Sequence, residues 1–379
     1  FSTYRRFWKN IESFDEKANL KDKIIQTPPK NWEKFNDHEK CAYYVILNTH
    51  MLSKPINIGV IGVGHLGEHH AKHYSKIPGI NLVGVYDIDL KRSAYIAEKY
   101  KTIAFTDLKK LIDNVNALSI VTPTSNHYET AKLCIINKKH VFIEKPITVN
   151  LKQADILLKL ALENSVIIQV GHIERLNPAL LALKKYDIHP TFLEIQRLAP
   201  YTSRGSDVPV VLDKMIHDID ILLSLVKSDV YSLDATGMSI ITNSLDIAQA
   251  RIKFKDGTVA SLMSSRIAQN DVRKIKLFQK NLYSTIDLLK GITEIYKIEQ
   301  NKNYKSNILK SVEFHRNGKK QFISYMKPKI KKHDALELEL RNFSNSIIGK
   351  EKPIVDGKSG ADALAIALDI QKIIRKDFF

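Results

Sequence analysis

The sequence contains few cysteines and no long run of apolar residues. Of its 379 residues only two are cysteines, Cys41 and Cys134, which lie far apart and outside any Cys-x-x-Cys pair. This argues against a disulfide framework or a zinc site, and we expect free thiols in a reducing cytoplasm. No stretch reaches the roughly 18 apolar residues of a membrane-spanning helix, so we expect no membrane association. Residues 1–10 carry charge and lack the apolar segment of a signal peptide.

Acidic residues are scarce relative to basic ones. The net charge is +17, and residues 273–332 hold 16 Lys and Arg against four acids. These basic residues stand singly or in pairs among Ile, Asn and Tyr, and no nucleic-acid-binding motif accompanies them. Three explanations stay open, namely drift in composition, a surface for an anionic ligand, and a nucleic-acid surface. We favour the first and expect no nucleic-acid partner.

The chain is longer than one hydrophobic core usually holds, which predicts two domains. Residues 1–54 are polar and aromatic without a sustained period, and we treat them as an N-terminal extension of unknown role. Met51 is a candidate natural start for the two predicted domains. From residue 56 strands and helices alternate, which predicts an α/β Rossmann domain with a doubly wound parallel sheet over residues 55–175. The predicted strands are 56–61, 81–86, 117–121, 140–143 and 166–170, and the predicted helices are 66–77, 90–100, 108–113, 127–137 and 151–164.

Residues 176–379 are rich in strands and predict an α+β domain for substrate binding and oligomerisation. Its open, largely antiparallel sheet is expected to join copies of the chain into a homo-oligomer. Lys255-Asp256-Gly257-Thr258 is a hairpin-turn signal. The predicted strands are 191–198, 230–238, 247–254, 258–267, 273–278 and 293–298, and the predicted helices are 210–226, 334–348 and 359–375.

A glycine-rich turn follows the first strand and opens a helix. Its sequence is Gly62-Val63-Gly64-His65-Leu66-Gly67. The strand–turn–helix setting gives this motif its meaning as a dinucleotide site. We expect Gly62 to permit the turn, Gly64 to let the backbone approach a pyrophosphate, and Gly67 to allow close helix packing, with His65 and Leu66 beside the cofactor.

Two further strand ends belong to this predicted site. Asp87 ends the second strand, where a carboxylate binds ribose hydroxyls and repels a 2′-phosphate. It favours NAD over NADP, although Lys91 and Arg92 are close enough to support NADP. The turn after residue 121 supplies Thr122, Pro123, Asn126 and His127 as cofactor contacts, and Ser125 or Asn126 is a candidate helix cap.

Four histidines on the first helix invite a metal assignment. They are His65, His69, His70 and His73. Neither a carboxylate nor a cysteine completes a ligand set, and the helix is already assigned to the pyrophosphate. We therefore expect no metal site.

Two motifs complete a family pattern. Glu144-Lys145-Pro146 ends a strand, and Asp213-x-x-x-His217 lies on a predicted helix of the second domain. With the glycine motif, and in this order, they resemble the Gfo/Idh/MocA oxidoreductases over about residues 55–379. The resemblance implies a dehydrogenase acting on CH–OH, with Glu144 and Lys145 near the cofactor and a cis Lys145-Pro146 bond.

The chemistry of these residues agrees with that implication. Oxidising a secondary alcohol needs a base for the hydroxyl proton, and a histidine such as His217 has a suitable pKa. Asp213, one helical turn earlier, is expected to orient that ring or to bind substrate. Lys145 supplies a cation that polarises the oxygen and relays protons. The hydride chemistry itself belongs to the cofactor.

Other segments point to a substrate class. Many relatives carry a glycine pair before the Asp, whereas this chain has Val210-Val211-Leu212, which disfavours the polyol and simple-sugar subgroups. Residues 171–178 and 204–220 resemble the UDP-N-acetylglucosamine 3-dehydrogenase subgroup. The resemblance implies a nucleotide-linked sugar substrate, for which we name the candidates His172, Arg175, Asn177, Arg204 and Asp220.

Other interpretations stay open. Arg197 is a further candidate for the diphosphate of such a substrate, since phosphates favour Arg and Lys. Each of these arginines is equally an ordinary salt-bridge residue. The alternatives to a UDP-sugar dehydrogenase are a polyol or monosaccharide dehydrogenase, and a non-catalytic NAD-binding protein.

Overall fold

A computed structural model describes residues 55–202, 208–300 and 308–378. Residues Asn57–Phe379 form one compact unit. The predicted extension over residues 1–54 and the candidate Arg204 lie outside the described residues. Within the described ranges, every helix falls short of the length or the apolarity that a bilayer crossing requires.

The first sheet has six strands in the order β3-β2-β1-β4-β5-β6. The recorded pairings β1–β4, β2–β3, β4–β5 and β5–β6 are parallel. This order turns back between β1 and β4, which is where Rossmann sheets open a crevice for a dinucleotide. The strands are β1 (Ile56–Ile61), β2 (Ile80–Tyr86), β3 (Ile103–Ala104), β4 (Ala117–Ile120), β5 (His140–Glu144) and β6 (Ile168–Gly171).

Helices connect these strands and cover the sheet. Every residue of β4 is buried, as expected of a parallel strand with helices on both faces. The connecting helices are α1 (His65–Tyr74), α2 (Leu90–Tyr100), α3 (Leu108–Asp113), α4 (Thr124–Ile136) and α5 (Leu151–Glu163).

The second sheet has nine strands in the order β14-β15-β13-β12-β11-β7-β10-β9-β8. All recorded pairs are antiparallel except β7–β10. Burial alternates along β9, so one face is covered and the other is open. The strands are β7 (Phe192–Leu198), β8 (Val230–Met238), β9 (Ile247–Phe254), β10 (Val259–Ser265), β11 (Val272–Gln279), β12 (Leu282–Asp287), β13 (Ile292–Glu299), β14 (Ile308–Arg316) and β15 (Lys319–Met326).

Further helices join the two sheets. A short helix, α6 (Pro178–Leu181), follows the first sheet, and α7 (Ile216–Leu225) covers the second. The last two helices are α8 (Ala335–Ile347) and α9 (Gly357–Phe378). The segment between them returns to β6, where Val170 N donates to Val355 O at 2.9 Å. The last helix contributes to both cores, through Leu364 on one side and Ile370 on the other. The domain division between residues 175 and 176 stays a prediction.

The predicted fold class, a Rossmann sheet followed by a largely antiparallel sheet, is confirmed. Several details were wrong. Strands β3, β12, β14 and β15 were missed, and the helix predicted over 210–226 begins as a π-helical turn at Val211–Met215. The helix predicted to begin at residue 127 begins at Thr124, and the one predicted to end at residue 77 ends at Tyr74.

Candidate active site

The glycine turn between β1 and α1 has the close contacts that its motif implies. Gly62 has a φ of +83°, and its N–H bonds Tyr86 O at 2.8 Å. A Cβ on Gly67 would stand 1.9 Å from the Gly62 carbonyl oxygen, whereas a Cβ on Gly64 would meet nothing within 4 Å. Among the described residues, no side chain makes a capping bond to α1 at Gly64. Within that part of the chain, the turn keeps open space beside Gly64 and an uncapped helix start.

Asp87 lies against this turn. Its Oδ2 accepts a hydrogen bond from Val63 N at 2.7 Å, and its Oδ1 accepts one from Asp89 N at 3.0 Å. Arg92, which the sequence offered as a partner for a 2′-phosphate, is held elsewhere. Its Nε donates to Val63 O at 2.8 Å, and its Nη2 lies 2.6 Å from Glu68 Oε2.

The turn after β4 corrects one prediction. Ser125 and Asn126 do not cap α4, because the helix starts at Thr124 and Pro123 is its N-cap residue. His127 is buried in the first turn, with its ring nitrogens 2.9 Å from the Thr122 and Pro146 carbonyl oxygens. It therefore ties the turn after β4 to the turn after β5.

Glu144 ends β5 in a tightly packed polar setting. Its Oε1 lies 3.1 Å from His70 Nε2, and a Cβ on Gly171 would stand 2.8 Å from the same carboxylate. His70 also contacts Ser119 Oγ at 3.3 Å, so this histidine of α1 has internal partners. In the described part of the chain, no three His, Cys, Asp or Glu side chains are grouped to hold a metal ion.

Lys145 reaches from the end of β5 to the π-helical turn that precedes α7. The Lys145-Pro146 bond is cis, as predicted. The Lys145 Nζ donates to the Asp213 carbonyl oxygen at 2.7 Å and lies 3.6 Å from Asp213 Oδ1. Burial lowers the pKa of Lys145, and the Asp213 charge opposes that shift. A less basic amine beside a carboxylate is suited to hold an oxygen and to pass a proton.

His217 follows one turn after Asp213, at the start of α7. Burial lowers the pKa of His217 well below its ordinary value, and the Lys145 charge adds to the effect. Its Nδ1 is buried without a partner among the described residues, and its ring meets that of His172 edge-on at 5.8 Å. A neutral ring is therefore favoured, and a neutral imidazole accepts a proton.

One cavity of about 260 Å³ brings the predicted catalytic residues together. Lys145, Asp213 and His217 all line it, although Lys145 follows β5 of the first sheet and His217 lies in α7, which packs on the second sheet. The predicted convergence of these two side chains on one cleft is confirmed.

The same cavity contains three charged residues that the sequence did not suggest, Glu174, Lys214 and Arg273. It also contains the buried Arg197, which the sequence offered as a candidate for the substrate diphosphate. Glu174 lies in a segment that carries the family resemblance, but Arg273 stands in the sequence only among many basic residues. The signal that would have found it is strand alternation, which puts Arg273 on the same face as the buried Ile275 and Leu277.

Three of the remaining candidates for substrate binding, Arg175, Asn177 and Asp220, have internal hydrogen-bond partners. Arg175 makes a two-point salt bridge with the buried Asp220, at 2.8 Å for both bonds, and donates to Ile354 O. Asn177 caps α6 and donates to Glu174 and Leu288 O. His172 is buried beside His217. These four residues are not among those that line the cavity.

Comparison with known proteins decides the family. A family model described as oxidoreductase family, NAD-binding Rossmann fold, matches residues 56–172. UDP-N-acetylglucosamine 3-dehydrogenase of Acidithiobacillus ferrooxidans is 34% identical over 318 residues, which cover 83% of this chain and 95% of that protein. The chain belongs to the Gfo/Idh/MocA oxidoreductase family.

A solved structure and a further relative also match most of the chain. A crystal structure of the Acidithiobacillus ferrooxidans enzyme matches with a TM-score of 0.76 and 32% identity, covering 85% of this chain and 98% of that one. Myo-inositol 2-dehydrogenase of Thermotoga maritima is 26% identical over 341 residues, covering 85% of this chain and 97% of that protein. The named relatives are dehydrogenases of sugar or polyol hydroxyls.

The NAD site implied by the Gfo/Idh/MocA family fits the residues present. The open space at Gly64 and the uncapped start of α1 suit a pyrophosphate, which binds to free N–H groups at a helix start. Asp87 lies at the carboxyl end of β2, where a carboxylate meets the ribose hydroxyls of a dinucleotide.

Proposed function

We propose that this chain is an NAD-dependent dehydrogenase that oxidises the 3-hydroxyl of a UDP-linked N-acetylhexosamine. The observation that carries the proposal is the convergence of Lys145, Asp213 and His217 in one cavity between the two sheets. That cavity also holds Lys214 and Arg273, which suit an anionic substrate. The Acidithiobacillus ferrooxidans relative, which matches 83% of this chain, is named UDP-N-acetylglucosamine 3-dehydrogenase.

The residues of the cavity divide the chemistry between them. His217 takes the hydroxyl proton, because its lowered pKa keeps the ring neutral and its Nε2 makes no hydrogen bond to a described residue. The Lys145 Nζ donates one hydrogen bond to the substrate oxygen and keeps its bond to the Asp213 carbonyl oxygen. Bound NAD supplies the acceptor for the hydride, as nicotinamide cofactors do.

We also infer a preference for NAD over NADP. Asp87 presents its carboxylate beside the glycine turn, where it would repel a 2′-phosphate. Arg92 is paired with Glu68, whose pKa is lowered to about 2 by its bonds to Lys99 and Arg92. The cation most suited to bind a 2′-phosphate is therefore already occupied.

A substrate panel tests the proposal. Purified protein is incubated with NAD and with UDP-N-acetylglucosamine, UDP-N-acetylgalactosamine, UDP-glucose, free N-acetylglucosamine or myo-inositol, and the reduced cofactor is followed by absorbance. We expect turnover of a UDP-N-acetylhexosamine and little turnover of the free sugars. Turnover of myo-inositol alone would support the alternative of a polyol dehydrogenase, the activity for which the Thermotoga maritima relative is named. Tight NADH binding without turnover of any compound would support a non-catalytic role.

We further propose that the open face of the second sheet joins copies of the chain. A row of aromatic rings crosses this sheet with neighbouring centroids 4.7–5.6 Å apart. The row consists of Phe192, Phe278, Tyr283, Tyr296 and Tyr325. Phe192 and Tyr296 are exposed, which is costly for a row of this size in a monomer. Light scattering coupled to size exclusion should give more than one chain per particle, and Tyr296→Lys should lower that mass.

A further inference from the structure

Two arginines of the cavity occupy facing positions on neighbouring strands. Arg273 of β11 is the cross-strand partner of Arg197 of β7. Like charges in such a pair repel each other. The repulsion is relieved by Glu174, whose Oε1 accepts from Arg197 Nη1 at 2.9 Å and from Arg273 Nη1 at 3.2 Å. One carboxylate oxygen therefore serves two guanidinium groups.

The two arginines differ in how many of their side-chain N–H donors are already hydrogen-bonded. Arg197 is buried, donates through Nε and Nη2 to Asp218, and has a raised pKa through the charges of Asp218 and Glu174, which outweigh burial. Arg273 has 43% of its side chain exposed, and Glu174 is the single hydrogen-bond partner of that side chain among the described residues. A guanidinium has five N–H donors, so Arg273 keeps most of them for a ligand.

Lys214 adds a further cation to the same cavity. Its Nζ lies 3.5 Å from Asp213 Oδ2, and about a quarter of its side chain is exposed. The cavity thus holds four cations, Lys145, Lys214, Arg197 and Arg273, against the carboxylates of Glu174 and Asp213 that line it and the Asp218 behind Arg197. The positive charge is in excess, as a site for a phosphate requires.

We propose that Arg273, assisted by Lys214, binds the diphosphate of a nucleotide-linked substrate, an inference that rests on the proposed function. A planar guanidinium binds phosphate oxygens through two parallel bonds. Engaging Arg273 in this way does not leave Glu174 unpaired, because Arg197 and the Asn177 amide still donate to it. In the sugar, one ring carbon separates the carbon of the 3-hydroxyl from the anomeric carbon, which carries the diphosphate. The 3-hydroxyl can therefore lie at Lys145 and His217 while the diphosphate lies at Arg273 and Lys214.

The test measures binding of UDP to the NADH-bound protein by titration calorimetry. We expect Arg273→Gln to weaken UDP binding by about tenfold or more, the scale of a lost charged hydrogen bond, and Arg273→Lys to restore part of it. Lys274→Gln is the matched control, since Lys274 is the next residue on β11 and strand alternation turns it to the opposite face. Uridine should bind equally to wild type and Arg273→Gln, because it lacks the diphosphate.

Kinetics separate this inference from the proposed function. With a UDP-sugar substrate, Arg273→Gln should raise KM far more than it lowers kcat, as loss of a contact made equally before and during reaction does. If wild type binds a sugar phosphate but no UDP compound, and Arg273→Gln removes that binding, the UDP-sugar function fails while the anion site stands. If Arg273→Gln binds UDP and glucose 6-phosphate as wild type does, with NADH binding and thermal unfolding unchanged, the inference is overturned.

Discussion

The Lys145 Nζ donates a hydrogen bond to the Asp213 carbonyl oxygen at 2.7 Å and lies 3.6 Å from the Asp213 carboxylate. This contact joins the end of β5 to the π-helical turn that precedes α7. The carbonyl therefore lies in an irregular helical turn, and such turns are frequent at functional sites.

The positive charge of Lys145 should have a measurable effect on the pKa of His217. Burial lowers the pKa of His217, and the Lys145 cation lowers it further. Lys145→Met should therefore raise the pKa of His217, although burial keeps it below the ordinary value of about 6.5. NMR titration of the ring protons measures this directly, with Lys274→Met as the control. An unchanged pKa in Lys145→Met would show that the two side chains do not interact.

The same shift predicts a pH dependence of catalysis. A base must be unprotonated, so activity is lost as pH falls through the pKa of His217. Because that pKa is well below its ordinary value, kcat/KM should stay level as pH falls through about 6.5, the value of an unperturbed histidine. An acid limb at or above that pH would contradict the assignment of His217 as the base.

Alanine substitutions at Gly64 and Gly67 should affect cofactor binding and stability differently. Gly64→Ala places a methyl group in open space, so unfolding free energy should change by less than about 1 kcal/mol, while NADH binding weakens because the methyl group obstructs the pyrophosphate. Gly67→Ala would bring Cβ within 1.9 Å of the Gly62 carbonyl oxygen, so it should lower stability as well. Urea unfolding and NADH fluorescence titration separate the two effects. Equal NADH affinity in Gly64→Ala and wild type would argue against this turn as the pyrophosphate site.

Arg175 and Asp220 should matter for stability more than for substrate affinity. Their salt bridge is buried, with 15% and 1% of the side chains exposed. Removing one partner leaves the other charge buried and unpaired, which costs about 3–5 kcal/mol. Asp220→Asn should therefore lower the urea midpoint strongly, and Arg175→Met combined with Asp220→Leu should cost less than the two single changes added together. A raised KM at unchanged stability would instead support a direct contact with substrate.

Asp87 should control the choice of cofactor. Asp87→Ala removes the repulsion of a 2′-phosphate, so the ratio of kcat/KM for NADP to that for NAD should rise. The gain is limited while Glu68 holds Arg92, and adding Glu68→Gln should raise the ratio again. The comparison is made by steady-state kinetics with both cofactors. An unchanged ratio in Asp87→Ala would mean that the carboxylate does not meet the ribose.

The parts of the site that the sequence predicted correctly are those formed by short, contiguous motifs. A glycine motif after an apolar strand fixes its own turn, and Lys145-Pro146 follows directly from β5. Arg197 was a candidate from the sequence, but its grouping with Glu174 and Arg273 was not predicted, because sheet pairing brings these distant residues together. Arg175 and Asp220 were interpreted as substrate contacts, since a sequence does not show that two charges 45 residues apart pair with each other.

The missed strands have a similar explanation. Strands β14 and β15 lie in a segment so rich in lysine that its composition points mainly to drift. Their turn nevertheless carries a signal, because Asn317 and Gly318 both have positive φ and Asn-Gly favours a tight hairpin. In the sheet some of these lysines are paired, as Lys320 is with Glu313 at 2.7 Å.

Lys145 and His217 are proposed to act together on a sugar hydroxyl, and the rate of hydride transfer tests this most directly. Stopped-flow absorbance of the reduced cofactor in a single turnover gives that rate for wild type, Lys145→Met and His217→Asn with NAD and UDP-N-acetylglucosamine. We predict a loss of about 100-fold or more in each variant, the usual scale for a lost acid–base group. NADH affinity should stay near that of wild type, because the glycine turn and Asp87 are untouched. Wild-type rates of hydride transfer in both variants would contradict the joint role of Lys145 and His217.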